Sequence, residues 1–217
     1  MKRIFDIISS AVGLVILGPL LAGIAWLIRR EDGGPVFYRG VRVGLHGKCF
    51  RIFKFRTMVL NAERVGGPST PDDDPRITHI GRKLRKYKLD ELPQLFNVLL
   101  GDMSLVGPRP EVKCYTDMFT VEEKPILSVR PGITDWASIW NPDEGSLLAG
   151  AADPEAAYLE LIRPTKVKLQ LKYVREQSFI TDLRILWKTL MVIINPRARE
   201  RTVAALSLAG DAAKQWN

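Results

Sequence analysis

IISSAVGLVILGPLLAGIAWLI, residues 7–28, is the stretch that determines the class of this protein, because it contains no charged residue. As an α-helix it would be about 33 Å long, which is enough to cross the hydrocarbon core of a bilayer. Lys2 and Arg3 precede it, and Arg29 and Arg30 follow it. Positive flanks favour the cytoplasmic side, so both ends are predicted to lie there, which a straight span cannot satisfy.

Gly18 and Pro19 lie near the middle of this segment. Proline removes a helical hydrogen bond and kinks the chain, and the neighbouring glycine adds freedom. One prediction is therefore a re-entrant helix that bends at Pro19 and returns to the same face. The other is a single span with a cytoplasmic remainder, since proline is tolerated in membrane helices. A cleaved signal peptide is disfavoured, because the apolar run is long and ends in two arginines.

The charge balance points to an anionic partner. The 217 residues carry a formal net charge of +8, and nucleic acid, anionic lipid and phosphorylated substrates all suit such a surface. The chain length suits one compact domain with an appendage. Cys49 and Cys114 lack metal-type spacing, so we expect reduced, small core residues in a reducing compartment.

The remaining pattern predicts a helix-rich domain with a β-hairpin. Residues 36–43 and 48–57 are rich in β-branched and aromatic residues, and the turn sequence of 44–47 separates them. Residues 66–75 are rich in Pro, Gly and Asp and predict a loop. Apolar periodicity predicts helices over residues 82–100, 155–174 and 183–194. The last of these suits either core packing or the membrane interface.

The densest chemistry lies within residues 82–111. Five cations come first: Arg82, Lys83, Arg85, Lys86 and Lys88. Asp90 and Glu91 follow, and Pro93 favours a helix start directly after them. Free backbone N–H groups and the cations are expected to keep Asp90 ionised and to hold a phosphate beside it. An ionised carboxylate can attack phosphorus, and Glu91 could hold Mg²⁺ or position a group. An Asp-Glu pair at a helix start is, however, more often a cap.

Four further basic residues lie in motifs that suit phosphate binding. Arg109 lies in VGPRP (106–110) and Arg130 in RPGIT (130–134), two stiff turns that each present one arginine. Lys54 and Arg56 alternate with aromatic residues in FKFRTM (53–58). The alternatives are solvated arginines on structural turns and basic side chains that cover a half-buried sheet.

Taken together, these segments resemble the bacterial sugar transferase family, in its small monotopic phosphoglycosyl transferase form. The matching strings are KRIFDIISS (2–10), the Gly18-Pro19 break, KFRTM (54–58), KLDELPQLFNVLLGDMSLVGPRPE (88–111) and RPGIT (130–134). The resemblance extends from residue 2 to about residue 194. Its long central run is highly specific.

The resemblance implies a reaction and its site. Asp90 would attack the β-phosphate of a UDP-sugar, expel UMP and carry a covalent phosphosugar, which polyprenyl phosphate, typically undecaprenyl phosphate, would then accept. Glu91 matches the second member of the family's dyad, and Mg²⁺ at Asp90 and Glu91 is the expected cofactor. The expected phosphate or nucleotide contacts are Lys54, Arg56, Arg109 and Arg130. Such a product begins the assembly of a bacterial glycoconjugate or exopolysaccharide.

The resemblance also favours the re-entrant path over the span. We therefore expect a monotopic membrane protein of helix-rich α/β fold with a small β-hairpin or sheet. Residues 1–31 would form the re-entrant membrane helix broken at Pro19, residues 32–195 the catalytic domain and residues 196–217 a tail. The domain would contact membrane lipid on the cytoplasmic face of the bacterial inner membrane.

Some residues depart from the family pattern, and some alternatives stay open. DWAS (135–138), the stretch 141–150 and Gln170 differ from many relatives, which leaves the sugar and the C-terminal contacts unassigned. Rival functions are a non-catalytic membrane scaffold, a transferase in which Asp90 acts as a base, and a nucleic-acid binder. The last is disfavoured, because no binding motif is present and the cations surround carboxylates. A homodimer is left open.

Overall fold

The computed structural model describes residues 1–67 and 69–194 of the chain. The α-helices are α1 (Lys2–Asp32), α2 (His79–Lys86), α3 (Gln94–Leu100), α4 (Lys113–Thr116), α5 (Trp136–Trp140), α6 (Glu144–Leu148), α7 (Pro154–Ala157), α8 (Arg163–Glu176) and α9 (Phe179–Ile194). The strands are β1 (Phe37–Tyr38), β2 (Val41–Val43), β3 (Cys49–Arg51), β4 (Lys54–Phe55), β5 (Ser104–Val106) and β6 (Gly132–Thr134). The predicted helix-rich α/β class with small sheets is confirmed.

Helix α1 carries the apolar segment and continues through Pro19 as a single element. It is long and apolar enough to cross a membrane. Its middle is not covered by the rest of the described chain, since Val15 is 79% and Ile16 71% exposed. A core helix of a soluble protein would bury such residues. The helical pattern is not interrupted at Pro19, and the re-entrant path stays a prediction.

The two ends of α1 pack on the rest of the protein through one face of the helix. Near the N-terminus, Asp6 is buried and accepts hydrogen bonds from Ser104 Oγ at 2.8 Å and from the backbone N–H of Leu105 at 3.2 Å. Near the C-terminus, Ile24 and Ile28 are buried against the domain. Because these residues recur at intervals that keep one helical face inward, both ends of α1 contact the same domain.

The predicted hairpin is confirmed. Strands β2 and β3 pair antiparallel, with Val43 opposite Cys49. The turn between them places His46 at φ 55° and Gly47 at φ 74°, so the glycine supplies a left-handed conformation at no steric cost. Strands β1 and β4 also pair antiparallel and extend the same two chain segments. Both cysteines are exposed, which corrects the prediction that they are core residues.

A single helix over residues 82–100 is wrong. Helix α2 ends at Lys86, a 3₁₀ turn spans Leu89–Glu91, and α3 begins after Pro93. The break occurs because Lys88 adopts a left-handed backbone with φ 55°, which a helix interior does not accommodate. The helix start predicted at Pro93 is confirmed, since Pro93 caps α3.

A parallel strand pair joins two segments that the sequence presents as separate turns. Strand β5 runs into VGPRP and pairs with β6, which lies inside RPGIT. A Cβ on Gly132 would lie 2.0 Å from the backbone nitrogen of Gly107, so the two chains approach as only glycines allow. This pairing fixes the turn that carries Arg109.

The predicted C-terminal helices are confirmed. The 155–174 helix contains a π-helical turn over Tyr158–Ile162 between α7 and α8. The last helix begins earlier than predicted, at Phe179, and has two faces. Ile185 packs in the core, whereas Trp187 is 62% and Ile193 65% exposed. The predicted tail, 196–217, lies outside the described residues, as does residue 195.

Candidate active site

The Asp90-Glu91 pair lies on the 3₁₀ turn that separates α2 from α3. Asp90 is only 6% exposed, and its Oδ1 is buried with no hydrogen-bond partner among the described residues. Gln94, one helical turn further on, is fully buried, and its amide nitrogen and oxygen also lack partners within that part of the chain. Buried polar atoms are rarely left unpaired, so these two side chains are suited to receive polar groups of a ligand.

Glu91 is held by two cations from distant parts of the chain. Lys54 Nζ, from β4, lies 2.9 Å from Glu91 Oε1. Arg109 Nη1 lies 2.8 Å from Glu91 Oε2, and Nη2 of the same guanidinium donates to Oε1. This bidentate pair fixes Glu91 and the turn that carries Asp90. The structure therefore brings together four of the predicted site residues: Lys54, Asp90, Glu91 and Arg109.

Burial and charge move the two carboxyl groups in opposite directions. Burial raises the pKa of Asp90, and the nearby Lys54 only partly opposes it. Burial alone would also raise the pKa of Glu91, but Arg109 and Lys54 hold that pKa well below its usual range. Burial likewise lowers the pKa of Lys54, against the attraction of Glu91. The local cations lower the pKa of Asp90, as expected, but desolvation exceeds their effect, so the net direction is upward.

The backbone of Arg109 is held by hydrogen bonds to two other side chains. Its N–H donates to Asp135 Oδ2 at 3.3 Å, and its carbonyl accepts from Gln170 Nε2 at 3.4 Å. Asp135 is fully buried and caps α5 through the backbone N–H of Ser138. Asp135 and Gln170 are therefore part of the support of the site.

A second buried ion cluster was not predicted. Lys166 Nζ lies 2.7 Å from Glu111 Oε1 and 3.0 Å from Glu144 Oε1, and it is 4% exposed. Although burial alone would lower it, these two carboxylates raise the pKa of Lys166 well above its usual value. Glu144 and Glu111 also act electrostatically on Arg109. The sequence feature that could have indicated this cluster is Lys166, a charged residue on the inward face of the 155–174 helix.

Two predicted phosphate contacts lie elsewhere. Arg56 Nη1 lies 2.6 Å from Asp32 Oδ2, and Arg56 Nε donates to the Pro35 carbonyl at 2.7 Å, so Arg56 holds the end of α1. Arg130 is exposed, and its Nε donates to the carbonyl of Gly101 at 3.1 Å. Gly101 ends α3, whereas Asp90 precedes its start, so the structure does not join Arg130 to the dyad.

The residues present fit Mg²⁺ in part. The free buried oxygen of Asp90 suits one metal ligand, and magnesium commonly takes one or two carboxylates together with substrate phosphate oxygens. Both oxygens of Glu91 instead accept hydrogen bonds from cations, so Glu91 does not fit as a ligand in this arrangement. Within residues 1–67 and 69–194, no group of three or more His, Cys, Asp or Glu residues is arranged for a metal.

The described residues thus combine a buried carboxyl group, Asp90, and a cation-bound Glu91 with an apolar helix whose middle is exposed. The family model for bacterial sugar transferases matches residues 1–196. This match covers most of the chain, and the chain therefore belongs to the bacterial sugar transferase family.

Several named relatives are similar over nearly the same region. The chain is 38% identical to a UDP-N-acetylgalactosamine-undecaprenyl-phosphate N-acetylgalactosaminephosphotransferase of Aeromonas hydrophila, over 89% of the chain and 43% of that protein. It is 38% identical to an undecaprenyl-phosphate galactose phosphotransferase of Salmonella typhimurium, over 89% of the chain and 40% of that protein. An exopolysaccharide production protein of Sinorhizobium fredii is 35% identical over 88% of the chain and 84% of its own length. The chain thus spans less than half of the first two relatives.

Proposed function

We propose that this protein transfers a sugar 1-phosphate from a UDP-sugar to polyprenyl phosphate, most simply undecaprenyl phosphate, and releases UMP. The proposal includes a covalent aspartyl intermediate on Asp90. The observation that carries it is the buried Asp90 carboxylate, whose free oxygen lies on the same turn as the Glu91 ion cluster. The names of the relatives support the acceptor and the reaction type.

The reaction would proceed in two displacements. An oxygen of Asp90 attacks the β-phosphorus, the bond from that phosphorus to the bridging oxygen breaks, and UMP leaves with the electron pair. An oxygen of the lipid phosphate then attacks the same phosphorus, and the carboxylate of Asp90 is released. The products are UMP and a polyprenyl diphosphate sugar. Splitting one displacement into two lets UMP depart before the lipid enters.

The dyad and its cations would divide the work. Desolvation of Asp90 removes its hydration shell and leaves an oxygen available for attack. Glu91 compensates Lys54 and Arg109 and so holds both cations at the reaction centre, where they would stabilise charge on the transferred phosphoryl group. Mg²⁺, held by Asp90 together with donor phosphate oxygens, would supply further neutralisation of the diphosphate.

The membrane placement belongs to the same proposal. A spanning helix separates its two ends by the thickness of the bilayer, yet both ends of α1 contact one domain through Asp6 and Ile28. We infer a monotopic arrangement, in which the middle of α1 enters the bilayer and returns to the cytoplasmic face. The exposed apolar face of α9 adjoins α1 through Phe179 and Phe5, whose ring centroids lie 5.4 Å apart. This face would lie in the membrane interface.

The test is UMP release in detergent with Mg²⁺, from a panel of UDP-sugars, with and without undecaprenyl phosphate. We expect one donor to give lipid-dependent release from the wild type and none from Asp90→Asn. Without the lipid, a limited burst should leave a phosphosugar on Asp90 that intact-protein mass spectrometry detects. Full activity in Asp90→Asn would exclude the covalent role, and a folded wild type that releases UMP from no donor would contradict the reaction class.

A further inference from the structure

An apolar cleft of about 390 Å³ lies between α1 and the catalytic domain. One wall is formed by Gly18, Leu21 and Ala22 of α1, and the other by Phe55, Pro93 and Phe96. Its volume falls within the usual range of small-molecule sites. A dry cavity of about 150 Å³ already binds benzene, so this cleft has room for roughly 15 carbon atoms.

The cleft is wide because its membrane-helix wall has small side chains. Gly18 and Ala22 are one helical turn apart, and a Cβ on Gly18 would meet no atom within 4 Å. On the opposite wall, the ring of Phe96 remains 38% exposed. Protein interiors are close-packed, so an apolar space of this size next to the exposed ring of Phe96 is suited to a ligand.

The cleft adjoins the turn that carries the dyad. Pro93 lines it and is only two residues beyond Glu91. Leu89, the residue before Asp90, packs against the hydrophobic cluster that contains Phe55, and Phe55 also lines the cleft. Successive side chains of a strand point to opposite faces, so Phe55 points toward α1 while its neighbour Lys54 points away and binds Glu91. The cleft therefore lies next to the turn that carries the dyad.

We propose that this cleft holds the isoprene units nearest the phosphate of the lipid acceptor, so that the lipid phosphate lies beside Asp90. This inference rests on the proposed function and adds a location for the acceptor chain. One wall of the cleft belongs to the helix assigned to the bilayer, so a chain can enter from the lipid without crossing water. The net charge of +8 suits the anionic head group that must remain outside the cleft.

The test uses two neighbouring substitutions on α1. Ala22→Phe places a ring in the cleft. Gly23→Phe is the control, because Gly23 does not line the cleft and a Cβ added there meets no atom within 4 Å. For Ala22→Phe we expect the KM for undecaprenyl phosphate to rise about tenfold, because the ring would displace a few methylene groups of the lipid chain from the cleft. The acceptor-independent burst of UMP should be unchanged in both variants, and Gly23→Phe should keep the wild-type KM.

A short acceptor and a photoreactive probe complete the test. The KM for dimethylallyl phosphate should change less in Ala22→Phe than the KM for undecaprenyl phosphate. A diazirine-bearing polyprenyl phosphate in nanodiscs should label peptides from the two walls, and undecaprenyl phosphate should prevent this labelling. The probe needs no donor, so it remains informative if no UDP-sugar reacts. An unchanged KM for undecaprenyl phosphate in Ala22→Phe, or labelling that phosphatidylglycerol prevents equally well, would overturn the assignment.

Discussion

Asp90 is the residue at which stability and function oppose each other. Its carboxyl group is buried, and the raised pKa means that the folded state disfavours the charge that the proposed attack on phosphorus requires. A group whose folded pKa is raised stabilises the protein at low pH and loses that contribution as the pH rises through the folded pKa. The wild type therefore has a stability cost at neutral pH that the neutral amide of asparagine avoids.

We accordingly expect Asp90→Asn to unfold at a higher temperature than the wild type at pH 7, while transfer falls by at least about a thousandfold. The gain should disappear at a pH below the ordinary Asp value of 3.8, where both states of the wild type are protonated. Thermal unfolding in detergent with EDTA measures this. Asp117→Asn, at an exposed ion pair, is the control and should show no comparable gain. A lower unfolding temperature for Asp90→Asn at pH 7 would contradict the argument.

Glu91 should behave in the opposite way. Its removal leaves Lys54 and Arg109 partly buried without their shared carboxylate. We expect Glu91→Gln to lower the free energy of unfolding by about 3 kcal/mol at neutral pH, as for other broken buried pairs. Because the folded pKa is depressed, this contribution is present above the ordinary value of 4.5 and is lost as the pH falls through the folded pKa.

Denaturant unfolding at pH 7 and at acid pH checks this prediction. The difference between the wild type and Glu91→Gln should narrow as the pH falls from about 4.5, where Glu91 is first protonated in the unfolded state, towards its lower folded pKa. Glu160→Gln, at an exposed position on the π-helical turn, is the matched control and should change little at either pH. A difference that is constant with pH would show that the ion cluster is not its origin.

Among the elements, the β5–β6 pair decides where Arg109 lies. A Cβ on Gly132 would collide with backbone atoms of Gly107, which cannot move aside as a flexible side chain could. We expect Gly132→Ala to separate the strands and to lower the free energy of unfolding by about 2 kcal/mol. The KM for the UDP-sugar should rise as well, because the Arg109 turn follows β5.

Gly23→Ala is the comparison for this variant. A Cβ on Gly23 meets no atom within 4 Å, and alanine is the better helix former, so its stability should be equal or higher. Chemical denaturation of both variants and steady-state kinetics separate the two effects. Wild-type stability in Gly132→Ala would contradict the close approach of the strands.

For the whole molecule, the path of α1 is the main topological prediction. The two ends of α1 contact one domain, so the N-terminus and that domain should lie on the same side of the membrane. Cys49 and Cys114 are both exposed and mark the side of the domain. A peptide tag with one cysteine, added before Met1, would mark the N-terminal end of α1. The tag is placed in a variant that lacks Cys49 and Cys114, so that only the tag can react.

In inverted membrane vesicles, a membrane-impermeant maleimide should label the tag in the tagged variant and the native thiols in the wild type. In intact spheroplasts it should label neither protein. Each cysteine is accessible without disrupting the domain, so the comparison requires no destabilised variant. If the tag reacts in spheroplasts while the native thiols do not, then α1 spans the bilayer. That result would contradict the monotopic arrangement.

Local features of the chain could be predicted from the sequence because neighbouring residues create them. The uncharged run 7–28 specifies an apolar helix, and the Gly-rich turn at 44–47 specifies a hairpin. The contiguous Asp90-Glu91 pair and the helix start at Pro93 likewise depend on short stretches. The resemblance to the family likewise rested on contiguous sequence segments, above all residues 88–111.

Contacts between distant residues were decided only by the tertiary structure. Four basic residues lay in equally suitable motifs, yet packing brought Lys54 and Arg109 to Glu91, across 37 and 18 residues, and took Arg56 to the end of α1. Burial then set the direction of the Asp90 pKa against the local cations. The sequence by itself determined the elements and the chemistry available. Which charges meet, and how far they are desolvated, was decided by the tertiary structure, because both depend on surfaces that form only when distant segments pack.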